Sequence, residues 1–177
     1  MPLLYDDYFQ FALEHRSRHG CGGYPFKDGR LLTVLCKATK AHSVLEVGTA
    51  VGYSAACLAS ASPEVVIDTI EMDAEHVRVA GVELAKWKLL SQVNILHGTS
   101  DKVLPTLRPA YDLVFFDGFE PSVNDLRHFD RLIAEDGLLV STNLSWTNTA
   151  QGYLALLDSL GFVTHSLGDT ALSVRLT

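Results

Sequence analysis

At 177 residues the chain suits one domain, long enough to bury roughly two-thirds of the surface its unfolded form exposes. Its hydrophobic share is 47%, yet no apolar run approaches the roughly 18 residues that a membrane span needs, so neither a transmembrane segment nor a secretory signal is expected. A net charge of −7 with no Lys/Arg cluster gives no general attraction to nucleic acid, and the odd cysteines Cys21, Cys36 and Cys57, with no C-x-x-C pair, read as reduced thiols in a cytoplasmic protein.

Apolar periodicity predicts two leading helices, 3–19 and 30–40, separated by the turn-rich Gly20-Cys21-Gly22-Gly23-Tyr24-Pro25. Leu4, Tyr8, Phe11 and Leu13 on the first of them would cover the sheet or a partner subunit. Then come strand 43–47, helix 53–60, strand 65–70 and helix 74–89, with Asp73 as the N-cap of that helix. Strand 93–96, a short helix near 102–107, strand 113–116, helix 122–134, strand 138–141 and helix 149–160 follow. Two closing strands, 162–165 and 171–176, are joined by too few residues for a crossover and must pair antiparallel. Repeated βα units with continuously apolar strands mean an α/β fold: a doubly wound, Rossmann-like, mostly parallel seven-stranded sheet with helices on both faces and an antiparallel last strand. Residues 1–41 would be the leading helices and 42–177 the sheet core, all within one domain.

The stretch Glu46-Val47-Gly48-Thr49-Ala50-Val51-Gly52-Tyr53-Ser54 joins an apolar strand to an apolar helix through glycines spaced G-x-x-x-G. Gly48 permits a tight turn at the strand end, Gly52 permits close approach of a ligand, and the following helix presents unpaired N–H groups. This is not the G-x-G-x-x-G spacing of a dinucleotide fold, which weighs against an NAD-dependent oxidoreductase. Glu71 closes the second strand, where a carboxylate can accept hydrogen bonds from both hydroxyls of a ribose; the alternative is support of the helix dipole that begins after Asp73. Met72 beside it either covers a flat ring or fills core space. His15, His19 and Cys21 suggest a metal cluster, but the helix is expected to end between them, which argues against it.

Several motifs in order resemble the O-methyltransferase family that includes the catechol and caffeoyl-CoA enzymes. Ser43-Val44-Leu45-Glu46-Val47-Gly48-Thr49 through Gly52-Tyr53-Ser54 is similar to its first motif; Tyr111-Asp112-Leu113-Val114-Phe115-Phe116-Asp117 resembles its fourth strand. Asp136-Gly137-Leu138-Leu139-Val140-Ser141-Thr142-Asn143-Leu144-Ser145-Trp146 and the tail Ser166-Leu167-Gly168-Asp169-Thr170-Ala171-Leu172 resemble its closing motifs. The resemblance covers about residue 29 to the end. It implies S-adenosylmethionine (SAM) as cofactor, with Glu46, Gly48, Thr49, Gly52, Tyr53 and Ser54 around the methionine portion and Glu71 on the ribose. Met72, Thr99 and Ser100 would meet the adenine, and Asp117 would stand at the reacting end.

In that family the positions of Asp117, Thr142 and Asn143 hold two aspartates and an asparagine, a divalent-cation site. Here Thr142 replaces the second aspartate, so magnesium on Asp117 and Asn143 would be weakened. A lysine that assists deprotonation has become Glu120. A phenol with a pKa near 10 is about 0.1% ionised at pH 7, so a base or metal is worth on the order of 4 kcal/mol, and losing both devices cannot be neutral. Three readings stay open: metal-independent methyl transfer to an oxygen with Glu120 or a histidine as base and Asp117 and Asn143 in the catalytic site, a weakened metal site, or a SAM-binding protein without turnover. The acceptor is expected to be a small, aromatic-type molecule. Trp146 would wall it or anchor a dimer interface, and the short stretch after Asn143 leaves the pocket little lid unless a second subunit closes it, so a homodimer is expected.

Overall fold

The computed structural model describes residues 4–119, 121–145 and 150–175. In chain order, a π-helical turn Leu4–Tyr8 runs into helix α1 (Phe9–His19), followed by α2 (Gly29–Ala38), β1 (Ser43–Val47), α3 (Tyr53–Ala59), β2 (Val66–Glu71), α4 (Ala74–Lys86) and β3 (Val93–His97). The second half holds α5 (Ser100–Val103) with a 3-10 turn Leu104–Thr106, then β4 (Tyr111–Phe116), α6 (Val123–Leu132), β5 (Ile133–Ser141), α7 (Ala150–Ser159), β6 (Phe162–Leu167) and β7 (Thr170–Arg175). Local chemistry sets the helix ends. Asp73 Oδ1 accepts from the backbone N–H groups of Glu75 (2.8 Å) and His76 (3.3 Å), satisfying donors that the first turn of α4 cannot pair, and Gly20 stops α1 in the left-handed region at φ 70°.

All seven strands form one sheet in the order β3-β2-β1-β4-β5-β7-β6. β1 pairs with β2 and β4 in parallel, whereas β7 lies antiparallel to both β5 and β6. The doubly wound sheet with its antiparallel last strand is therefore as the sequence predicts. Alternation of side chains along the strands builds two cores. Val44, Ile67, Leu113 and Phe115 pack with α2, α3, α4 and the leading helix, while Leu45, Val47, Ile70, Val114 and Phe116 face α6 and α7 on the other side. Cys36 and Cys57 are buried in the first of these, as their apolar neighbours suggest.

Several boundaries differ from the sequence expectation, two of them with consequences for the chain path. Ile133 and Ala134 belong to β5, not to the helix before it, because Tyr111 already pairs with Ile133 at the start of β4 and the ladder then shifts register before Leu113. The Asp136-Gly137 pair, which looks like a turn, is an irregularity inside one strand. The closing hairpin is also tighter than expected: Leu167 pairs with Thr170, leaving Gly168, at φ 62°, and Asp169 as the turn. The leading segment covers its own fold. Tyr8 is buried, stacks on Trp87 with rings 5.9 Å apart, and donates from its hydroxyl to the Val51 carbonyl at 2.7 Å. Among the described residues, no helix is long and apolar enough to cross a membrane.

Candidate active site

A cavity of about 650 Å³ opens at the carboxyl ends of β1, β2 and β4, where the strand order reverses. That is where a doubly wound sheet leaves a crevice between diverging helices, and the volume falls within the roughly 300–1,000 Å³ of small-molecule sites. Gly48 shapes its floor at φ 101°, backbone that side chains rarely adopt; Gly52, at φ 90°, was expected to admit a ligand but lies outside the lining and faces the core, where a Cβ would meet the Tyr8 hydroxyl at 2.9 Å. A Cβ on Gly48 would lie 2.5 Å from the carbonyl oxygen of Asp117, so the tips of β1 and β4 come this close only through glycine. Thr49, Tyr53 and Ser54 line the same floor. Tyr53 directs its hydroxyl away, donating to the Tyr5 carbonyl at 3.4 Å, and so braces the leading helix.

Glu46, like Gly52, is an exception among the expected contacts. It is completely buried and lies outside the cavity lining. Thr69 donates its hydroxyl to Oε2, and Oε1 has no partner. Burial pushes the Glu46 carboxyl up to about 7, with hydrogen bonds from Ser54 and Thr69 opposing that rise and the Glu71 charge adding to it. Near neutrality Glu46 is thus a half-satisfied acid behind the cradle, able to accept one further donor.

Glu71 stands at the cavity edge with both oxygens engaged. Oε2 accepts from the Ala50 N–H at 2.7 Å and Oε1 from the Asp73 N–H at 2.9 Å, while His76 Nδ1 lies 3.6 Å from Oε1. Burial opposes it, but these partners hold the carboxyl below the usual carboxylate range, and Glu71 in turn lifts His76 to about 9. Tying Ala50 to Asp73, Glu71 locks the cradle loop against the start of α4. Met72 is 71% exposed at the rim, so its role is not that of a core residue. Beyond it, Thr99 and Ser100 line the far end, and the Thr99 hydroxyl is buried without a partner.

At the near end, Asp117 follows β4. Its Oδ1 accepts from the Thr142 hydroxyl at 2.6 Å and from Asn143 Nδ2 at 3.3 Å, and the same amide donates to the Gly118 carbonyl at 2.6 Å. Burial pushes the Asp117 carboxyl up to about 7; the Thr142 and Asn143 bonds hold it down and the nearby Glu46 charge raises it further. Asn143 keeps this pose through a left-handed backbone at φ 62° and through the Ser145 N–H, which donates to the Asp169 carboxylate at the tip of the β6–β7 hairpin. Glu120 and Trp146, expected as base and wall, lie outside the described residues.

The family described as a methyltransferase domain matches residues 45–143, which is more than half of the chain and contains the cradle, Glu71, Asp117 and Asn143. The chain belongs to this methyltransferase-domain family. It is 33% identical over 121 residues to a catechol O-methyltransferase of Mycobacterium tuberculosis, covering 67% of this chain and 55% of the relative, and 30% identical over 118 residues to one from Niastella koreensis, covering 64% and 53%. The chain thus spans about half the length of these curated relatives. Among solved structures, the O-methyltransferase TomG of Streptomyces achromogenes, in complex with SAM, shares the fold with a TM-score of 0.83 at 21% identity, covering 97% of this chain and 91% of that one. An O-methyltransferase from Bacillus cereus in complex with SAH gives 0.83 at 17%, covering 96% and 91%.

The donor set at Asp117, Thr142 and Asn143 does not fit the magnesium site that the resemblance implies. Magnesium needs oxygen lone pairs, normally with one or two carboxylates, at near-octahedral angles. Of these three positions only Asp117 is a carboxylate, and both neighbours spend donors on it: the Thr142 hydroxyl and the Asn143 amide point hydrogens at Oδ1. Thr142→Asp is expected to reverse this. Two carboxylates at that separation repel, so the variant should melt below the parent without magnesium and recover when magnesium is added, whereas the parent should not respond; a thermal melt with and without magnesium chloride reads both.

Sequence reasoning missed one wall of the cavity. Ala12, His15 and Arg16 from α1 and Cys21 to Pro25 after it line the opening, so the leading segment supplies cover for the cavity. The guanidinium of Arg16 sits 3.4 Å from the centroid of the Tyr24 ring, holding that turn over the pocket. The only signal in the sequence was the glycine-rich turn itself. Asp125, also in the lining, was hidden by a local role: its carboxylate accepts a hydrogen bond from the Ser122 hydroxyl at 2.6 Å as part of the α6 cap.

Proposed function

We propose that the chain is a SAM-dependent O-methyltransferase acting on a small, aromatic-type acceptor without magnesium, with Asp117 as the group that takes the acceptor proton. The observation that carries this reading is the Asp117 carboxyl at the cavity end of β4, lifted by burial to about 7 and steadied by Thr142 and Asn143. A general base works best with a pKa near the operating pH, and one placed in hydrogen-bond reach of a hydroxyl contributes typically about 10²–10⁴-fold.

The remaining residues fit the cofactor. Gly48, Thr49 and Ser54 line the floor that would meet the methionine end, and the unpartnered Thr99 hydroxyl suits the adenine end. Glu71 would accept from the ribose hydroxyls and Met72 would cover the adenine face. Bound there, the cofactor supplies an electrophilic methyl group on a sulfonium. The chain's own part is to hold the acceptor oxygen near Asp117, to accept its proton on the carboxylate, and to keep water out beneath Tyr24 and the α1 end. A homodimer in a reducing cytoplasm belongs to the same proposal; Val163 and Val174, cross-strand neighbours that are 51% and 39% exposed beside the edge strand β6, offer an apolar surface for it.

Transfer of a radiolabelled methyl group from SAM to a panel of catechols and phenols, with no magnesium added, tests the reaction; cofactor binding without transfer to any of them would leave a SAM-binding protein instead. Glu71→Gln is the companion test. Hydrogen bonds to a charged group are worth about 1.5–3 kcal/mol, so S-adenosylhomocysteine (SAH) should bind about 10–150-fold more weakly by calorimetry, and an unchanged affinity would remove Glu71 from the ribose.

A further inference from the structure

Three imidazoles that methyl transfer leaves unused meet between the cavity and a surface groove. His15 and His19 lie one helical turn apart on α1, so their rings share a face, and His76 approaches from the first turn of α4. The ring centroids are 5.2 Å apart for His15 and His19, 5.4 Å for His15 and His76, and 4.9 Å for His19 and His76. Asp73 completes the group, with Oδ2 at 3.0 Å from His19 Nε2. One ligand atom from each of His19, Asp73 and His76 lies within 4.8 Å of the others. Two ring nitrogens here are buried and unpartnered, Nε2 of His15 and Nε2 of His76, and His76 as a residue is only 7% exposed. Buried polar atoms without partners are rare and call for an occupant.

We propose that His15, His19, Asp73 and His76 form a zinc site that fastens the end of α1 to the start of α4. Three imidazoles and one carboxylate make the nitrogen-rich, four-coordinate set that zinc prefers over magnesium or calcium. Zinc bonds of about 2.0–2.1 Å place tetrahedral ligand atoms roughly 3.3 Å apart, so His19, Asp73 and His76, already within 4.8 Å, close by small rotations, and His15 must turn in from outside that group as the fourth ligand. Supporting groups stand close by. Glu71 Oε1 lies 3.6 Å from Nδ1 of His76, so a small closure would give the carboxylate–histidine arrangement that orients a ligating ring and leaves the unpartnered Nε2 for the metal. Asp73 holds its other oxygen on the α4 backbone N–H groups, which fixes the carboxylate that Oδ2 would present. Nothing covalent happens at this site. Its consequence is mechanical: it pins the α1 end, and with it the glycine-rich cover from Cys21 to Tyr24, to the loop that carries Glu71.

Zinc chloride titrated into chelator-dialysed full-length protein is the experiment. One equivalent should bind, and at a hundredfold excess over the dissociation constant the thermal midpoint should rise by roughly 5–10 °C. Cobalt(II) in place of zinc should give the intense visible absorption of a four-coordinate site. His15→Ala and His19→Ala should each weaken zinc binding at least about tenfold, as loss of a ligand does at least as much as loss of its supporting contact. Each variant's zinc response is read against its own metal-free melt, because His19→Ala also removes the 3.0 Å contact with Asp73; that separates loss of a ligand from loss of the fold. Absence of saturable binding, a weak six-coordinate cobalt spectrum, or unchanged zinc affinity in either variant overturns the proposal.

Discussion

Asp117→Asn is expected to lower kcat by about 10²–10⁴-fold while changing SAH affinity far less. Asparagine keeps the shape and can still accept from the Thr142 hydroxyl, which is 2.6 Å from Oδ1 in the parent, so the loop before it should hold its position. What it loses is the ability to take a proton. The pH profile separates that loss from mere misplacement. Burial raises the Asp117 carboxyl to about 7, so below that pH the group is protonated and cannot act as base, and above it the carboxylate is available. Activity of the parent should therefore rise tenfold per unit at low pH, bend near 7 and level off, and the asparagine variant should lose that bend. The acceptor hydroxyl, with a phenolic pKa near 10, titrates too far above this range to produce it. A variant with the parent's kcat and the parent's bend would shift the base to another residue, with Glu120 the first to replace.

The cradle and the sheet were legible because their signals are local. Gly48 and Gly52 follow an apolar strand at a spacing that only close backbone approach requires, and the structure puts both at positive φ against Asp117 and Tyr8. Asp73 reads as an N-cap from the residues around it, and it is one. Contacts that cross the chain left no such trace. A cluster of His15, His19 and Cys21 is disfavoured in the sequence by a helix end between them, and α1 does end there, at Gly20; the ligands of the proposed site come instead from Asp73 and His76, which sequence spacing cannot place beside the two histidines. Glu46 shows the opposite error. A carboxylate at the end of a buried strand was expected to reach the ligand, because an ionised acid is costly to bury unpaired. The fold resolves the cost otherwise, by raising its pKa and lending it the Thr69 hydroxyl, and leaves one oxygen waiting. The same holds for Thr142. Its identity announced a missing carboxylate, but only the geometry shows that its hydroxyl now points a proton at Asp117.

Gly48→Ala tests whether the cradle depends on contact between strand tips or only on a flexible turn. The new Cβ would meet Asp117 at 2.5 Å from its carbonyl oxygen and 2.8 Å from its carbonyl carbon, and it would sit on a backbone at φ 101°. Backbone strain at such a φ is about 1–3 kcal/mol, and pushing packed backbone apart adds about 1–3 kcal/mol, so a loss of about 2–6 kcal/mol in unfolding free energy is expected by urea denaturation. Neither tip can yield independently. The Gly48 N–H donates to the Ile70 carbonyl at 3.0 Å and the Asp117 N–H to the Val47 carbonyl at 2.8 Å, so displacing one strand end drags Glu71 on one side or Asp117 on the other. Misplacement by about 1 Å in a catalytic constellation can cost about 10²-fold, so surviving protein should turn over at least that much more slowly. Gly152→Ala is the control. Gly152 lies within α7 with nothing inside 4 Å of its ideal Cβ, and alanine there should add about 0.5–1 kcal/mol through helix propensity. If Gly48→Ala melts with the parent instead, the β1 and β4 tips can separate without cost, and the closeness of Asp117 to the cradle floor would not be what holds the site together.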